Sequence, residues 1–336
     1  MLSKARARFA GYPNGWFVIG FSDELAVGQV LPLRYFGEDL VLFRGEDGRA
    51  NLLDAYCAHL GANLAAGGKV VGCNIECPFH AWRYAGDGRC VEIPYANKIP
   101  KKAFVRAWQV REQSGLVFMW HHAQGREPDY EIPTLPEWAN EGWTRWTMSK
   151  LHIRTHPKEI VENVVDKAHF PRVHATHVEQ FDNEFDAHKA TQRTKGVAYP
   201  VGGGRDQFEI EATYFGPGVQ ISWMHGVLEA RLLNAHTPVD TVSVDLRFGV
   251  MLKMIGNEAK TKLFAEKYAE NLRLGFHQDI AIWENKRYRD VPVLCDGDGP
   301  IMKLRQWYAQ FYTEGPAPVS EPEVEAEVEV EADGRA

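Results

Sequence analysis

The chain has 336 residues, 45% of them hydrophobic and 25% charged, the composition of a globular protein long enough for two ordinary domains. The formal net charge is −7, but residues 321–336 hold six glutamates and Asp333 against Arg335. The body is therefore nearly neutral, which excludes a basic nucleic-acid binder. No run approaches eighteen apolar residues, and MLSKARARFAG leads into no apolar core, so neither a membrane span nor a signal peptide is expected.

In chain order, residues 1–12 read as a loose arm. Short apolar runs at 16–20, 29–36 and 39–44 predict strands, with turns at Gly37-Glu38 and Glu46-Asp47-Gly48. Residues 51–56 lead a further strand into a loop, and 70–75 return from it. Gly86-Asp87-Gly88 marks a hairpin turn, and 103–110 and 116–120 close an all-β unit over 13–122. Residues 123–142, with Pro128, Pro133 and Pro136, read as a linker.

The loop region of that first unit carries Cys57-x-His59, then seventeen residues, then Cys77-x-x-His80. Two mixed Cys/His pairs are the donor set of a Rieske [2Fe–2S] cluster, in which two thiolates hold one iron and two imidazoles hold the other. Structural zinc usually shows two- to four-residue gaps within its cysteine pairs, which Cys57-x-His59 does not match. Ala62 and Phe79 stand where respiratory-type Rieske proteins place a disulfide, and Ala81 where they offer a serine hydroxyl. Fewer hydrogen bonds to sulfur mean a lower potential, which suits an electron feeder to an oxygen-activating iron. Trp82 and Tyr84 read as packing residues. With two cysteines spent on the cluster, Cys73, Cys90 and Cys295 remain, an odd number that argues for a reducing cytoplasm.

The second half alternates. Residues 143–156 predict a strand, 159–169 a helix, and 207–215, 219–224, 228–235 and 242–254 strands. From Glu258 to about Arg289 the apolar residues recur at three and four without an internal proline, which predicts one long helix. The pattern is α+β: an all-β domain followed by antiparallel sheet plus helices over 123–315. Residues 316–336 read as a disordered acidic tail.

Within NVVDKAHFPRVHATH (163–177), Asn163, Asp166 and His169 are spaced by three and would share a helix face. Pro171 disfavours helix at Phe170, so a bend is expected there that turns His174 toward His169. Two imidazoles plus a carboxylate, with positions left open, are the facial triad of non-haem Fe(II) oxygenases. Asp279 is the leading carboxylate, because its apolar helical neighbours would make an unpaired charge costly; Glu284 and Asp290 are alternatives. Asp166, one turn before His169, can hydrogen-bond a histidine of a second chain and couple two metals, or serves as a helix-surface or cap aspartate. Asn163 fits either a place beside the iron or a structural one, and His177 reads as an ordinary histidine.

The chain resembles the Rieske non-haem iron oxygenases over about 13–312, and within them the oxygenase component of 3-ketosteroid 9α-hydroxylase and the neverland-type cholesterol 7-desaturases. The resemblance is carried by CPFHAWRYAGDGRCVEIPYA (77–96), SGLVFMWHH (114–122), ENVVDKAHF (162–170), ATYFGPGVQISW (212–223), QDIAIWENK (278–286) and DGDGPIMKLRQWYAQFY (296–312). It implies that Asp279 is the third iron ligand and Asp166 the bridge between subunits of a homotrimer. It also implies a helix-grip (START-like) catalytic domain with an apolar tunnel. The implied activity is O₂-dependent hydroxylation of a steroid or sterol. Desaturation or oxidative demethylation of a sterol, or oxygenation of an aromatic acid, are alternatives, as is an electron carrier or lipid binder with a vacant iron site. No flavin or nicotinamide fingerprint is present, so a separate ferredoxin or ferredoxin reductase is expected. The basic run Lys98, Lys101, Lys102 and Arg106 offers that partner a face, or is simply a solvated one.

Overall fold

The computed structural model describes residues 11–198, 204–226 and 228–312, so most of the expected arm and all of the expected acidic tail lie outside the described residues. The first half is built from strands β1 (Gly15–Phe21), β2 (Val30–Tyr35), β3 (Glu38–Arg44), β4 (Ala50–Asp54), β5 (Lys69–Val71), β6 (Asn74–Glu76), β7 (Arg83–Tyr84), β8 (Cys90–Glu92), β9 (Ala107–Trp108), β10 (Val110–Gln113) and β11 (Leu116–His121). They form three sheets, ordered β1-β11-β10, β2-β3-β4-β9 and β5-β6-β7-β8. The expected single strand at 70–75 is instead a hairpin: β5 and β6 pair antiparallel about Gly72, whose φ of 62° the turn requires. One Cys/His loop leaves β4 and the other joins β6 to β7, so the small four-stranded sheet carries both to one end.

The second half contains β12 (Thr147–Ile153), α1 (Pro157–Val161), α2 (His169–Val173), β13 (Thr176–Asp186), β14 (Lys189–Ala198), β15 (Asp206–Phe215), β16 (Val219–Gly226), β17 (Ala230–Pro238), β18 (Val244–Leu252), α3 (Glu258–Trp283) and α4 (Ile301–Ala309). Its seven strands form one antiparallel sheet ordered β12-β18-β17-β16-β15-β14-β13. Helix α3 starts with the Asn257 side chain accepting from the Lys260 amide, which satisfies one of its first free N–H groups. It lies across the sheet, with Ala265 and Ala269 packed on Val250 and Leu252, and Phe276, Ile280 and Trp283 on Leu246 and Phe248.

Two expectations near the iron motif fail. The helix expected over 159–169 is only α1 followed by a 3₁₀ turn, Glu162–Val164, so Asn163, Asp166 and His169 do not share one helical face. Nor does the chain bend at Phe170. Pro171 lies in the first turn of α2, where backbone N–H groups have no intrahelical partner, so its missing donor costs nothing; the direction change falls at 165–168, before the helix.

The two halves share a core. Trp16, Val18, Phe118 and Trp120 of the β1-β11 sheet pack against Ile221, Leu233 and Met251 of the seven-stranded sheet. The contact is also keyed by polar groups: the Tyr35 hydroxyl donates to Asp245 Oδ2 at 3.1 Å and accepts from Arg247 at 2.7 Å, all three side chains buried.

Candidate metal centres

The two Cys/His loops close in the same way. The amide of Gly61 donates to the Cys57 carbonyl at 3.0 Å, and that of Ala81 to the Cys77 carbonyl at 3.1 Å. Both closing residues have positive φ, 74° at Gly61 and 57° at Ala81, so each loop curls back on itself and aims its cysteine and histidine the same way. The His59 and His80 rings are 4.7 Å apart, and Cys57 and Cys77 are buried as free thiols. Burial holds the Cys77 thiol above its ordinary pKa, so a thiolate there calls for a cation. His59 Nδ1 is buried with no hydrogen-bond partner, an orphan that a metal would satisfy. The residues present therefore fit a Rieske cluster.

Trp82 and Tyr84 do more than pack. The Trp82 ring stacks on His59 at 4.6 Å while its Nε1 donates to the Tyr95 hydroxyl at 2.8 Å, which fixes the imidazole plane. The Tyr84 hydroxyl lies 3.1 Å from Cys57 Sγ, a hydrogen bond to a ligand sulfur that raises a cluster's potential. Ala81 offers no hydroxyl of its own. Around the loops Leu60, Phe79 and Tyr95 are exposed at 66%, 62% and 62%, an apolar rim at the cluster end.

At the second site His169 enters from the start of α2, His174 from its end and Asp279 from the buried face of α3. The ligand-type atoms of these three residues all lie within 4.8 Å of one another. His174 Nε2 is 3.4 Å from Asp279 Oδ2. Each imidazole is anchored by its other nitrogen: His169 Nδ1 bonds the Asp166 carbonyl at 2.5 Å, and His174 Nδ1 bonds Gln278 Oε1 at 3.3 Å. That leaves Nε2 of each available to a cation, that of His174 beside the Asp279 carboxylate, the usual arrangement in which a second hydrogen bond orients a metal-binding histidine. Burial lowers the His169 pKa. Burial also acts to lower that of His174, but the adjacent Asp279 carboxylate outweighs it and the net shift is upward. Two histidines and a single carboxylate with open positions suit ferrous iron.

The other expected residues fall nearby in different roles. Asp166 is 41% exposed at its side chain, with Oδ1 3.3 Å from the His169 amide. Asn163 is partly buried in the 3₁₀ turn, and His177 is exposed at the start of β13. Glu284 is turned away from the triad: it accepts from the Arg154 amide at 3.0 Å. Gln278, which orients His174, was not singled out from the sequence; its place beside Asp279 was the available signal.

An all-β domain with a Cys/His cluster cradle, joined to a helix-covered antiparallel sheet with a two-histidine, one-carboxylate centre, defines a Rieske oxygenase. Residues 15–106 match the Rieske [2Fe-2S] domain family, and residues 119–312 the 3-ketosteroid 9alpha-hydroxylase C-terminal domain family. A probable 3-ketosteroid-9-alpha-monooxygenase oxygenase component of Rhodococcus rhodochrous is 40% identical over 90% of this chain and 80% of its own. The corresponding oxygenase component of Mycobacterium tuberculosis is 37% identical, over 90% and 82%. A cholesterol 7-desaturase of Ciona intestinalis is 32% identical, over 90% and 69%. The crystal structure of dicamba monooxygenase bound to dicamba shares the fold, with a TM-score of 0.75 at 18% identity over 90% of this chain and 98% of that one. The chain belongs to the 3-ketosteroid 9α-hydroxylase family of Rieske oxygenase components.

Proposed function

We propose that this protein hydroxylates a steroid or sterol, with the cluster held by Cys57, His59, Cys77 and His80 and ferrous iron held by His169, His174 and Asp279. The observation that carries the reading is the convergence of two anchored imidazoles and one buried carboxylate beneath a sheet face suited to an apolar substrate. When bound, the iron supplies dioxygen activation and the cluster supplies single electrons.

The chain's own residues bind, orient and exclude water. On the sheet face covered by α3, Leu232 and Met224 stand beside Asn234 and Gln220, because Asn234 pairs with both Phe248 and Gln220 in register. Phe248 packs on Phe276, one turn before Asp279. This face is mostly apolar, yet Asn234 Oδ1 and His236 Nδ1 are buried without partners. An apolar molecule with one or two polar groups would satisfy them, and a steroid nucleus has that chemistry.

In this reading Asp166 bonds a cluster histidine of a neighbouring subunit in a homotrimer, which its half-exposed side chain beside His169 supports, and Asn163 borders the same segment. The apolar rim of Leu60, Phe79 and Tyr95 gives the cluster end a surface for that contact. In this reading the boundary between the cluster and catalytic domains falls near residue 122, a separate ferredoxin or ferredoxin reductase delivers the electrons, and the protein works in the cytoplasm, in keeping with free thiols at all five cysteines. No described helix is long and apolar enough to cross a membrane.

The test is product analysis with a surrogate ferredoxin and reductase, labelled dioxygen and a panel of steroids, sterols and aromatic acids. A hydroxylated steroid carrying label supports the reading. A desaturated or demethylated sterol would favour the alternative suggested by the 32% identical cholesterol 7-desaturase. Turnover of aromatic acids alone would sink it.

A further inference from the structure

Three segments meet away from the triad in a charge cluster that the reaction does not use directly. Lys286 Nζ lies 2.6 Å from Glu159 Oε2 and 3.5 Å from Glu162 Oε2. Glu162 Oε1 accepts from Arg305 Nε at 2.6 Å, and the Arg305 guanidinium lies 4.3 Å over the Tyr288 ring. The carboxylates are well buried, with side chains 7% and 13% exposed, and Arg305 is 15% exposed. Charges so placed attract strongly but are costly to desolvate, so the cluster is poor grounds for added stability and better grounds for fixing an arrangement.

The arrangement it fixes is that of the iron ligands. The helical ladder of α3 runs past Trp283, since the amides of Glu284 and Lys286 donate to the carbonyls of Ile280 and Ile282. Lys286 is seven residues beyond Asp279 and three past the end of α3, and from there its side chain reaches Glu159 and Glu162. Glu162 is seven residues before His169, across the 3₁₀ turn and the loop that precede α2. The two segments that supply Asp279 and His169 are thus joined at one end by the Lys286–Glu159/Glu162 pairs and would be joined at the other by iron. Arg305 adds α4 to the same knot, and Ile160 and Trp283 fill the space between in one apolar cluster.

Resting on the iron-site reading above, we propose that Lys286, with Glu159 and Glu162, is a positioning clasp that holds the Asp279 helix at the distance from His169 and His174 that ferrous iron requires. Lys286 touches neither substrate nor metal in this role. A residue acting on ligand geometry typically alters metal affinity by about 10–100-fold, and the lower figure suits a clasp that touches none of the ligands.

The test compares wild-type holoprotein with Lys286→Met, Lys286→Arg, Glu162→Gln and a His169→Ala control. Two signals are read in each sample: the rate at which a ferrous chelator strips non-cluster iron, and the electron paramagnetic resonance of the ferrous site with nitric oxide. The Rieske absorbance serves as an internal check of folding. The proposal expects Lys286→Met and Glu162→Gln to lose the mononuclear iron about tenfold faster, with an altered nitric oxide signal and an intact Rieske band, and Lys286→Arg to behave as wild type. Wild-type iron retention in Lys286→Met overturns it. So does joint loss of both metal signals in Lys286→Met and Glu162→Gln, which would make the cluster a general stabiliser. If wild type holds iron no better than His169→Ala, the iron-site reading itself falls.

Discussion

Gly299 offers a steric probe of the iron site from a residue that touches none of its ligands. A β-carbon built there would lie 1.7 Å from the Val165 carbonyl oxygen, whereas ordinary van der Waals contact begins at 3.4 Å. About 1.7 Å must therefore be found by moving backbone, because neither atom is the end of a flexible side chain. Val165 is four residues before His169, in the short segment that sets the histidine's approach. Overpacking of this kind costs about 1–3 kcal/mol, which for 336 residues is about 1–2 °C in Tm per kcal/mol. A misplacement of about 1 Å in a catalytic constellation can cost about 100-fold in rate. Gly299→Ala is therefore expected to lower Tm modestly, reduce mononuclear iron and depress turnover about 100-fold, with the Rieske absorbance unchanged. Gly275→Ala is the control: it lies in the same helix as Asp279, four residues earlier, with open space where the methyl would go. That change should be neutral or stabilising by about 1 kcal/mol. Thermal melts together with iron and sulfide analysis check both variants, and a Gly299→Ala protein with wild-type Tm and full iron would refute the steric reasoning.

Other perturbations separate the metals and the electron path. Asp279→Ala should retain the Rieske band, lose the mononuclear iron and lower the His174 pKa now raised by that carboxylate, read by metal analysis and histidine titration. Asp166→Ala should keep both metals yet slow single-turnover oxidation of the reduced cluster by about 100-fold or more; wild-type turnover would remove the bridge. Burial pushes His121 down to about 4 and His156 and His236 down to about 3, so all three are neutral in the folded chain at neutral pH. The unfolded chain protonates them near 6.5. It therefore binds more protons below that pH, and stability present above about 6.5 is lost as pH falls toward 4, by up to about 4 kcal/mol per pH unit if all three contribute fully. Urea unfolding at pH 7.5 and 5 should show the loss, and equal or greater stability at pH 5 would contradict it.

The cluster site was legible because its chemistry demands four donors at fixed spacing on two self-closing loops, and local sequence supplies all of that. The donors of the iron site were less legible: His169 and His174 gained weight only beside the Rieske motif, and Asp279 led Glu284 and Asp290 by its apolar neighbours until the family resemblance favoured it. The conformation that brings them together was not legible. The segment 159–169 has helical periodicity, but Glu162 is held by Lys286 and Arg305 and Val165 is pressed by Gly299, all more than 120 residues away in the chain. Those tertiary contacts leave a 3₁₀ turn and a loop where local propensity favours helix. Pro171 misled in the opposite sense, since its effect depends on whether it falls inside a helix or in its first turn. Strands β13 and β14 went unread because THVEQFDNEFD is largely polar and half-exposed along its length, which resembles a loop until its pairing with Lys189–Ala198 is seen. Trp82 and Tyr84 were recognised as packing, but their contacts with His59 and Cys57 arise only when the two loops face each other.

The most direct measurement is iron and acid-labile sulfide content of the purified protein, read beside electron paramagnetic resonance after reduction. About three irons and about two sulfides per chain, with the low average g value of a Rieske centre and one iron removable without loss of that signal, are the expected result. Zinc in place of iron in the Cys57/His59/Cys77/His80 loops, or a Rieske signal with no removable iron in protein that retains His169, His174 and Asp279, would contradict the two-metal account.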